Sequence, residues 1–231
     1  MSVIDFHSHI LPKGDHGSDS EQQAVRQLEL LKNAGVGTVV ATPHFYPNIH
    51  IVKNFEDKKI ACLNSLLKAA PSDRPHIALG AEVLIFDNID RMEGIEELCI
   101  KGTRVMLLEM PMDQEWSDPL FETVRRLIKK NITVVLAHID RYLPRQCDDI
   151  NYLLDMGAYA QINALALERF LFKRHLKPFI NDERLVAFGT DLHGENKSAV
   201  DSFAALRELK NGVFERVMSS SAELLKNAEI Y

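Results

Sequence analysis

Short apolar runs recur along this chain, and six of them end in a histidine, aspartate or glutamate. They read VIDFHSH (His7, His9), TVVATPH (His44), IALGAE (Glu82), VMLLEM (Glu109), TVVLAH (His138) and VAFGTDLH (Asp191, His193). A near-continuous apolar run is the signature of a strand buried on both faces. Delivery of a polar tip at the carboxyl end of many such strands is the layout of an α/β barrel.

The segments between these runs read as helices, so strand and helix alternate. Expected strands are Val3–Phe6, Gly37–Ala41, Ile77–Ala81, Arg104–Leu108, Ile132–Ala137, Tyr159–Ile162 and Leu185–Gly189. Ser18 and Glu21 form a capping box for a first helix through Val25, Leu28 and Leu31, with Gly35 after its end. Asn54 can cap a second helix with Ile60, Leu63 and Leu67 on its apolar face. Ser117-Asp118-Pro119 opens another, since proline in the first turn leaves no N–H unsatisfied that would otherwise bond. The loop from Thr42 to about Ile51 and the stretch Val83–Thr103 lack a clear period; the latter reads as a hairpin or short helices. Two helices close the chain.

Seven strands alternating with helices argue for a mostly parallel sheet. Only the sixth strand lacks a ligand-type tip, ending instead in Asn163. An open doubly wound sheet gathers its site at one switch point and uses few strand ends. The expected fold is therefore an α/β, distorted seven-stranded TIM-like barrel with its site at the carboxyl ends of the strands. No linker or repeat divides it, so residues 1–231 read as one domain.

The net charge of −6 leaves no basic footprint for nucleic acid and no polybasic membrane patch. No apolar run approaches a membrane span, and the N-terminus enters a strand without a signal-peptide pattern. Cys62, Cys99 and Cys147 are odd in number, widely spaced and free of any CxxC pair, as reduced thiols of a cytoplasmic protein would be.

His-x-His on a strand projects both rings to one side, because residues i and i+2 share a face. Alone this is weak, since a histidine beside a buried strand usually just satisfies a hydrogen bond. Clustering strengthens it: of nine histidines, five sit at strand ends and His16 follows directly after HSH, while His50, His76 and His175 read as surface or loop residues. The candidate ligands are His7, His9, His16, His44, Glu82, Glu109, His138, Asp191 and His193. They exceed the four to six, roughly, that one ion takes. Two or three ions bridged by carboxylates would use them all, and imidazole with carboxylate and no thiolate favours Mn²⁺, Fe²⁺ or Zn²⁺ over a structural zinc site. Such centres serve phosphoryl displacement and metal-assisted hydrolysis.

HSH, TPH, GAE, LLEMP, AHIDRY and TDLH, in that order, resemble the PHP (polymerase and histidinol phosphatase) superfamily. Within it, HSHILP-x-x-D-x-G, ATPH, GAE, AHIDRY and SSAELLKN most resemble the bacterial manganese-dependent protein-tyrosine phosphatases of capsular and exopolysaccharide biosynthesis. The resemblance spans essentially the whole chain and implies a distorted (β/α)7 barrel. It also implies a division of ligands: His7, His9 and Asp191 for one metal, Glu82 bridging to a second completed by Glu109 and His138, and His16, His44 and His193 for a third.

Two positions depart from the phosphatase pattern. His16 stands where an aspartate is usual, leaving Asp15 or His16 as the ligand. After the last motif the chain reads GENKSAV, so Lys197 replaces an expected substrate-binding arginine and cannot give its bidentate grip. Arg141 matches the family's other phosphate-binding arginine, with a salt bridge to Asp140 as the plain alternative. Phe45 and Tyr46 either shape a pocket for an aromatic group or pack their loop.

The expected activity is a metal-dependent phosphatase hydrolysing phosphotyrosine through a metal-activated hydroxide, with Arg141 offsetting phosphoryl charge. The resemblance implies a phosphotyrosine protein as partner, such as a tyrosine kinase of polysaccharide synthesis. No CxxxxxR loop supports a cysteinyl-phosphate route. Alternatives are a small-molecule phosphatase of histidinol-phosphate or nucleotide type, a metal-dependent amidohydrolase, and a catalytically silent PHP module that binds a partner. The amidohydrolase reading lacks the usual bridging lysine at any strand end. The silent one has no use for a full ligand set.

Overall fold

The structure, a computed structural model, describes residues 2–112, 114–168 and 170–231. Each expected strand is present: β1 (Ile4–Ser8), β2 (Thr38–Ala41), β4 (His76–Leu79), β6 (Val105–Glu109), β7 (Thr133–Leu136), β8 (Tyr159–Asn163) and β9 (Leu185–Gly189). Two more are present: β3 (His44–Phe45), within the stretch read as loop, and β5 (Glu82–Leu84), at the start of the stretch read as a hairpin or short helices. Strands this short carry no detectable period, and both follow a break. Pro43 lacks an N–H for the ladder and separates β3 from β2, while Gly80 separates β5 from β4.

These breaks divide the strands into two parallel sheets, β1-β2-β4 and β3-β5-β6-β7-β8-β9. Backbone bonds continue across them: Thr42 N to Ser8 O (2.9 Å), Gly80 N to Ala41 O (2.9 Å) and Glu82 N to Pro43 O (3.1 Å). At the far side, Asp191 N donates to His7 O (2.8 Å) and His9 N to Leu192 O (3.1 Å), tying β1 to the residues after β9. The antiparallel bridge of Ile230 with Ala78 covers the edge of β4, satisfying backbone groups that an open edge would leave unpaired.

Helices α1 (Glu21–Asn33), α2 (Val52–Ala69), α3 (Asp118–Lys129), α4 (Cys147–Asp155), α5 (Phe170–Ile180), α6 (Lys197–Ala205) and α7 (Val213–Leu224) fill the connections. In α1 the buried Ala24, Gln27, Leu28 and Leu31 form one face at helical spacing. Its cap is Ser20, which accepts from Gln23 N, rather than Ser18. The second helix begins before Asn54, on the backbone of Ile51, and buries Val52, Phe55, Lys59, Leu63 and Leu66. Its inward face is thus rotated from the expected one, and Ile60 is exposed. Ser117 and Pro119 open α3 as expected. The region after β5 forms 3-10 turns, Ile89–Arg91 and Ile95–Leu98.

β1 and β9 are buried at every position, as parallel strands covered on both faces should be. Among the described residues no helix is long and apolar enough to cross a membrane.

Candidate metal centre

The β-strands bring most of the candidate ligands to one place. His7 lies on β1 and His9 just beyond it, His44 on β3, Glu82 on β5, Glu109 at the end of β6, and His138 after β7. Asp191 and His193 follow β9. Glu82 Oε2 is the focus: it lies 3.1 Å from His7 Nε2, 3.2 Å from His9 Nε2 and 3.0 Å from His44 Nδ1. Asp191 Oδ1 is 3.6 Å from His7 Nε2 and 3.4 Å from His9 Nε2. On the other oxygen of Glu82, His138 Nε2 stands at 2.7 Å and also lies 3.7 Å from Glu109 Oε1.

His16 reaches the cluster from its loop, its ring 4.9 Å from that of His44 and 4.7 Å from that of His193. Asp15, the alternative at this position, is turned to other work. Its Oδ2 accepts from His9 Nδ1 (2.6 Å) and His44 N (2.9 Å), and its Oδ1 accepts from Gly17 N (2.8 Å). Asp15 therefore orients His9, while His16 faces the other rings. The loop folds back tightly, and any Cβ at Gly17 would lie 2.1 Å from His9 Cβ. Buried Gln27 of α1 holds it, donating to Gly17 O (3.3 Å) and His9 O (3.4 Å).

Two strand-end residues adopt left-handed backbone, His138 (φ 32°) and Asp191 (φ 51°). For L-residues this costs about 1–3 kcal/mol and persists only where surroundings impose it. Here His138 N donates to Gln161 Oε1 (2.7 Å) and Asp191 N to His7 O (2.8 Å).

Electrostatics follow from burial and mixed charge. Burial pushes Glu82 upward, but the imidazoles of His7, His138 and His44 outweigh it and hold the carboxyl well below its ordinary value. Burial and the neighbouring Glu82 raise Glu109. Asp191 is held low, its burial outweighed by His7, His9 and Arg141. Burial and the nearby His9 push His193 down to about 4, so it is neutral at ordinary pH.

The donor set fits divalent cations. Spacings of 3.0 to 3.6 Å among nitrogen and oxygen donors are the edges expected around an ion with bonds of about 2.0–2.2 Å. His44 Nδ1 and Glu82 Oε2 approach closely, yet neither makes a well-aligned hydrogen bond, and buried His193 Nε2 also lacks a partner among the described residues. Buried polar atoms seldom go unsatisfied without a reason of this kind. Charge points the same way: Glu82, Glu109 and Asp191 crowd together with Arg141 as their cationic neighbour. Groups with mutually close donor atoms are His7–His9–Glu82, His44–Glu82–Glu109 and His9–His44–His193. The geometry thus also groups His44 with Glu82 and Glu109, and His9 with His44 and His193, beside the division that resemblance implies.

Arg141 lies in the 3-10 turn Ile139–Tyr142 and bonds Asp191 Oδ2, not Asp140. Asp140 instead accepts from Asn163 N (2.8 Å). Lys197 is not brought to the cluster; at the start of α6 it lines a surface hollow with Leu30, Asn33 and Ala34 of the α1 end. Phe45 is a core residue, edge-on to Phe55 at 5.1 Å. Tyr46 remains at the site, its ring 5.2 Å from His44 and nearly parallel to it.

Supporting residues escaped the sequence reading. Buried Asp5 accepts from Thr190 N (2.9 Å) and Thr190 Oγ1 (2.7 Å), joining β1 to the end of β9; its burial raises the carboxyl to about 6. Tyr142 OH accepts from Met110 N (2.9 Å), fixing the residue after Glu109. The signal available for such residues was a lone polar side chain within an apolar run.

The chain matches the model of a family described as "Capsular polysaccharide synthesis, CpsB/CapC" over residues 3–227. It is 27% identical over 208 residues to the tyrosine-protein phosphatase CpsB of Streptococcus pneumoniae, covering 83% of each chain. A putative tyrosine-protein phosphatase CapC of Staphylococcus aureus is 28% identical over 177 residues, 71% of this chain and 66% of that one. The fold is shared with a solved structure from a study of YwqE of Bacillus subtilis and CpsB of S. pneumoniae, described there as metal-dependent tyrosine phosphatases. The TM-score is 0.79 at 19% identity, covering 99% of this chain and 96% of that one. A TatD-family hydrolase of Entamoeba histolytica is more distant, at TM-score 0.58 and 12% identity over 97% and 98% of the two chains. Matched by the family model along nearly all of its length, the chain belongs to the CpsB/CapC family of capsular polysaccharide synthesis.

Proposed function

We propose that this chain is a metal-dependent protein-tyrosine phosphatase acting in capsular or exopolysaccharide synthesis, built as one domain over residues 1–231. The carrying observation is the convergence of His7, His9, His44 and His138 on the Glu82 carboxylate, with Asp191 beside His7 and His9. The names of its relatives supply the substrate class. We read the two sheets as arcs of one distorted (β/α)7 barrel; the bonds between β1 and the residues after β9 support this.

In this reading His7, His9, Glu82 and Asp191 hold one ion and Glu82, Glu109 and His138 a second. His44 and His193, with His16, serve a third. Mn²⁺ suits the mixed imidazole and carboxylate donors. Bound divalent ions would supply Lewis acidity to phosphoryl oxygens and lower the pKa of a water. Arg141 anchors through Asp191 with a side chain 40% exposed, so its remaining N–H groups are available to a phosphoryl oxygen. Tyr46, lying flat on His44, offers a wall for the phenyl ring. A phenol of pKa ~10 leaves without a strong general acid. The enzyme's partner is a phosphotyrosine protein, such as a tyrosine kinase of the same pathway, and the setting is the cytoplasm.

The test is a phosphatase panel of phosphotyrosine peptide, histidinol phosphate and a nucleotide, each with Mn²⁺, Mg²⁺, Zn²⁺ or chelator. Fastest turnover of the peptide with Mn²⁺, lost with chelator, is expected. Preference for either small molecule would reassign the substrate, and neither metal binding nor turnover would indicate a silent module.

A further inference from the structure

Of the seven strand ends expected from the sequence, that of β8 offers the cluster no histidine or carboxylate, only Gln161 and Asn163. Both are buried, and residues two apart on a strand share a face. Gln161 Oε1 lies 2.7 Å from His138 N and 3.2 Å from His7 Nδ1. Gln161 Nε2 donates to Asn163 Oδ1 (2.9 Å), and Asn163 Nδ2 donates to Asp191 Oδ2 (3.0 Å).

The orientation of this amide is fixed by chemistry. The backbone N–H of His138 can only donate, so the Gln161 atom facing it must be the oxygen. That oxygen can only accept, so His7 must carry a proton on Nδ1. In the neutral ring Nε2 is then a lone pair, and it is Nε2 that faces Glu82, His9 and Asp191. One side chain thereby sets the tautomer of His7, supports the left-handed backbone at His138 and, through Asn163, steadies Asp191.

The neighbouring strand is shaped to admit this amide. A Cβ at Gly189 on β9 would lie 2.8 Å from Gln161 Nε2 and 2.6 Å from His7 Cβ. Contacts that close are not tolerated, so glycine at 189 leaves room for both side chains.

We propose that Gln161 is a positioning residue that orients His7, His138 and Asp191 for metal binding, with Asn163 as its relay and Gly189 as the space that admits it. The sixth strand end, which lacks a ligand, thus holds the ligands of its neighbours. The inference rests on the metal-centre reading above.

The test is Mn²⁺ affinity of chelator-stripped protein, by calorimetry or chelator competition, for wild type, Gln161→Leu and Gln161→Glu. Leucine removes the acceptor. Glutamate keeps it for His7 and His138, but it turns the donation to Asn163 into an oxygen–oxygen contact and adds a buried negative charge. Loss of such supporting partners costs metal affinity about 10–100-fold. Gln161→Leu is expected to lose affinity in that range, with unchanged circular dichroism, and Gln161→Glu to recover most of it. Affinity of Gln161→Leu within threefold of wild type, or a Gln161→Glu variant as weak as the leucine one, would overturn the role. Should Gln161→Leu not fold, Asn163→Ala takes its place, with several-fold weaker binding expected and unchanged binding contrary. A wild-type chain that binds no Mn²⁺ overturns the metal reading itself, an outcome distinct from equal binding by wild type and variant.

Discussion

His7 Nε2 and His9 Nε2 face each other at 3.1 Å, while the Nδ1 of each ring is bonded elsewhere, to Gln161 and to Asp15. Two neutral imidazoles in this arrangement point lone pairs at one another, a repulsion removed only by a shared proton or a metal cation. Glu82 and Asp191 surround the pair with negative charge and favour the cation further. Metal binding should therefore stabilise the fold. At free Mn²⁺ about a hundredfold above Kd the gain is about 2.7 kcal/mol. For a chain of this length that raises Tm by roughly 5–10 °C over chelator-stripped protein. A thermal melt with and without chelator reads it, and coincident melts would count against a cation at this pair.

Ligand substitutions separate catalysis from folding. His7→Ala and Asp191→Asn should each reduce Mn²⁺-dependent hydrolysis of a phosphotyrosine peptide by ~100-fold or more. Far-UV circular dichroism should be unchanged, since the strands that carry them are held by backbone ladders and apolar packing. Near-normal turnover in either variant contradicts the assignment.

Arg141 is expected to act on phosphate through the fork of its guanidinium. Arg141→Ala should lower kcat/KM about 10²–10³-fold. Arg141→Lys should recover only part of this, because an ammonium is a point charge and cannot bond Asp191 and a phosphoryl oxygen in the same plane. Steady-state kinetics and inhibition by inorganic phosphate measure both, and lysine restoring full activity would contradict the geometry. Lys197→Ala, remote from the cluster, should leave kcat/KM unchanged.

The cluster around Glu82 was legible because its members end apolar runs, where a charged or imidazole side chain has no reason of packing to be. His7, His9, His44, Glu82, Glu109, His138, Asp191 and His193 all arise this way. What holds them was not legible. Gln161, Asp5 and Gln27 sit inside buried elements and pass for isolated polar residues until the fold sets their partners beside them. The same limit explains Ser18 and Ser20: both suit a cap, and only the helix start decides between them. Lys197 follows its motif in sequence, but α6 turns it toward α1.

Lys59 of α2 is buried, with its Nζ 2.6 Å from Glu56 Oε1. Burial, only partly offset by Glu56, lowers its pKa below the usual value. In the window between that lowered value and ~10.4 the unfolded chain holds a proton that the folded chain has released, so this group's contribution to stability rises with pH. The urea stability of wild type minus that of Lys59→Met should therefore grow as pH rises toward ~10. A pH-independent difference would contradict the burial of the ammonium.

The cysteines should be dispensable. Burial pushes the Cys99 thiol up to about 12, so it stays protonated and a poor nucleophile at neutral pH. Replacing Cys62, Cys99 and Cys147 by alanine should leave phosphotyrosine turnover within about threefold of wild type, small losses coming from packing at Cys99 alone. Loss of turnover on replacing Cys62 or Cys147 alone would revive a covalent route.

The central claim is that the donors around Glu82 form a metal centre, and anomalous diffraction at the manganese absorption edge from crystals grown with Mn²⁺ tests it most directly. The account predicts anomalous peaks bounded by His7, His9, Glu82 and Asp191 and by Glu82, Glu109 and His138. Peaks confined to surface carboxylates, with none among these residues in protein shown to turn over phosphotyrosine, would contradict it.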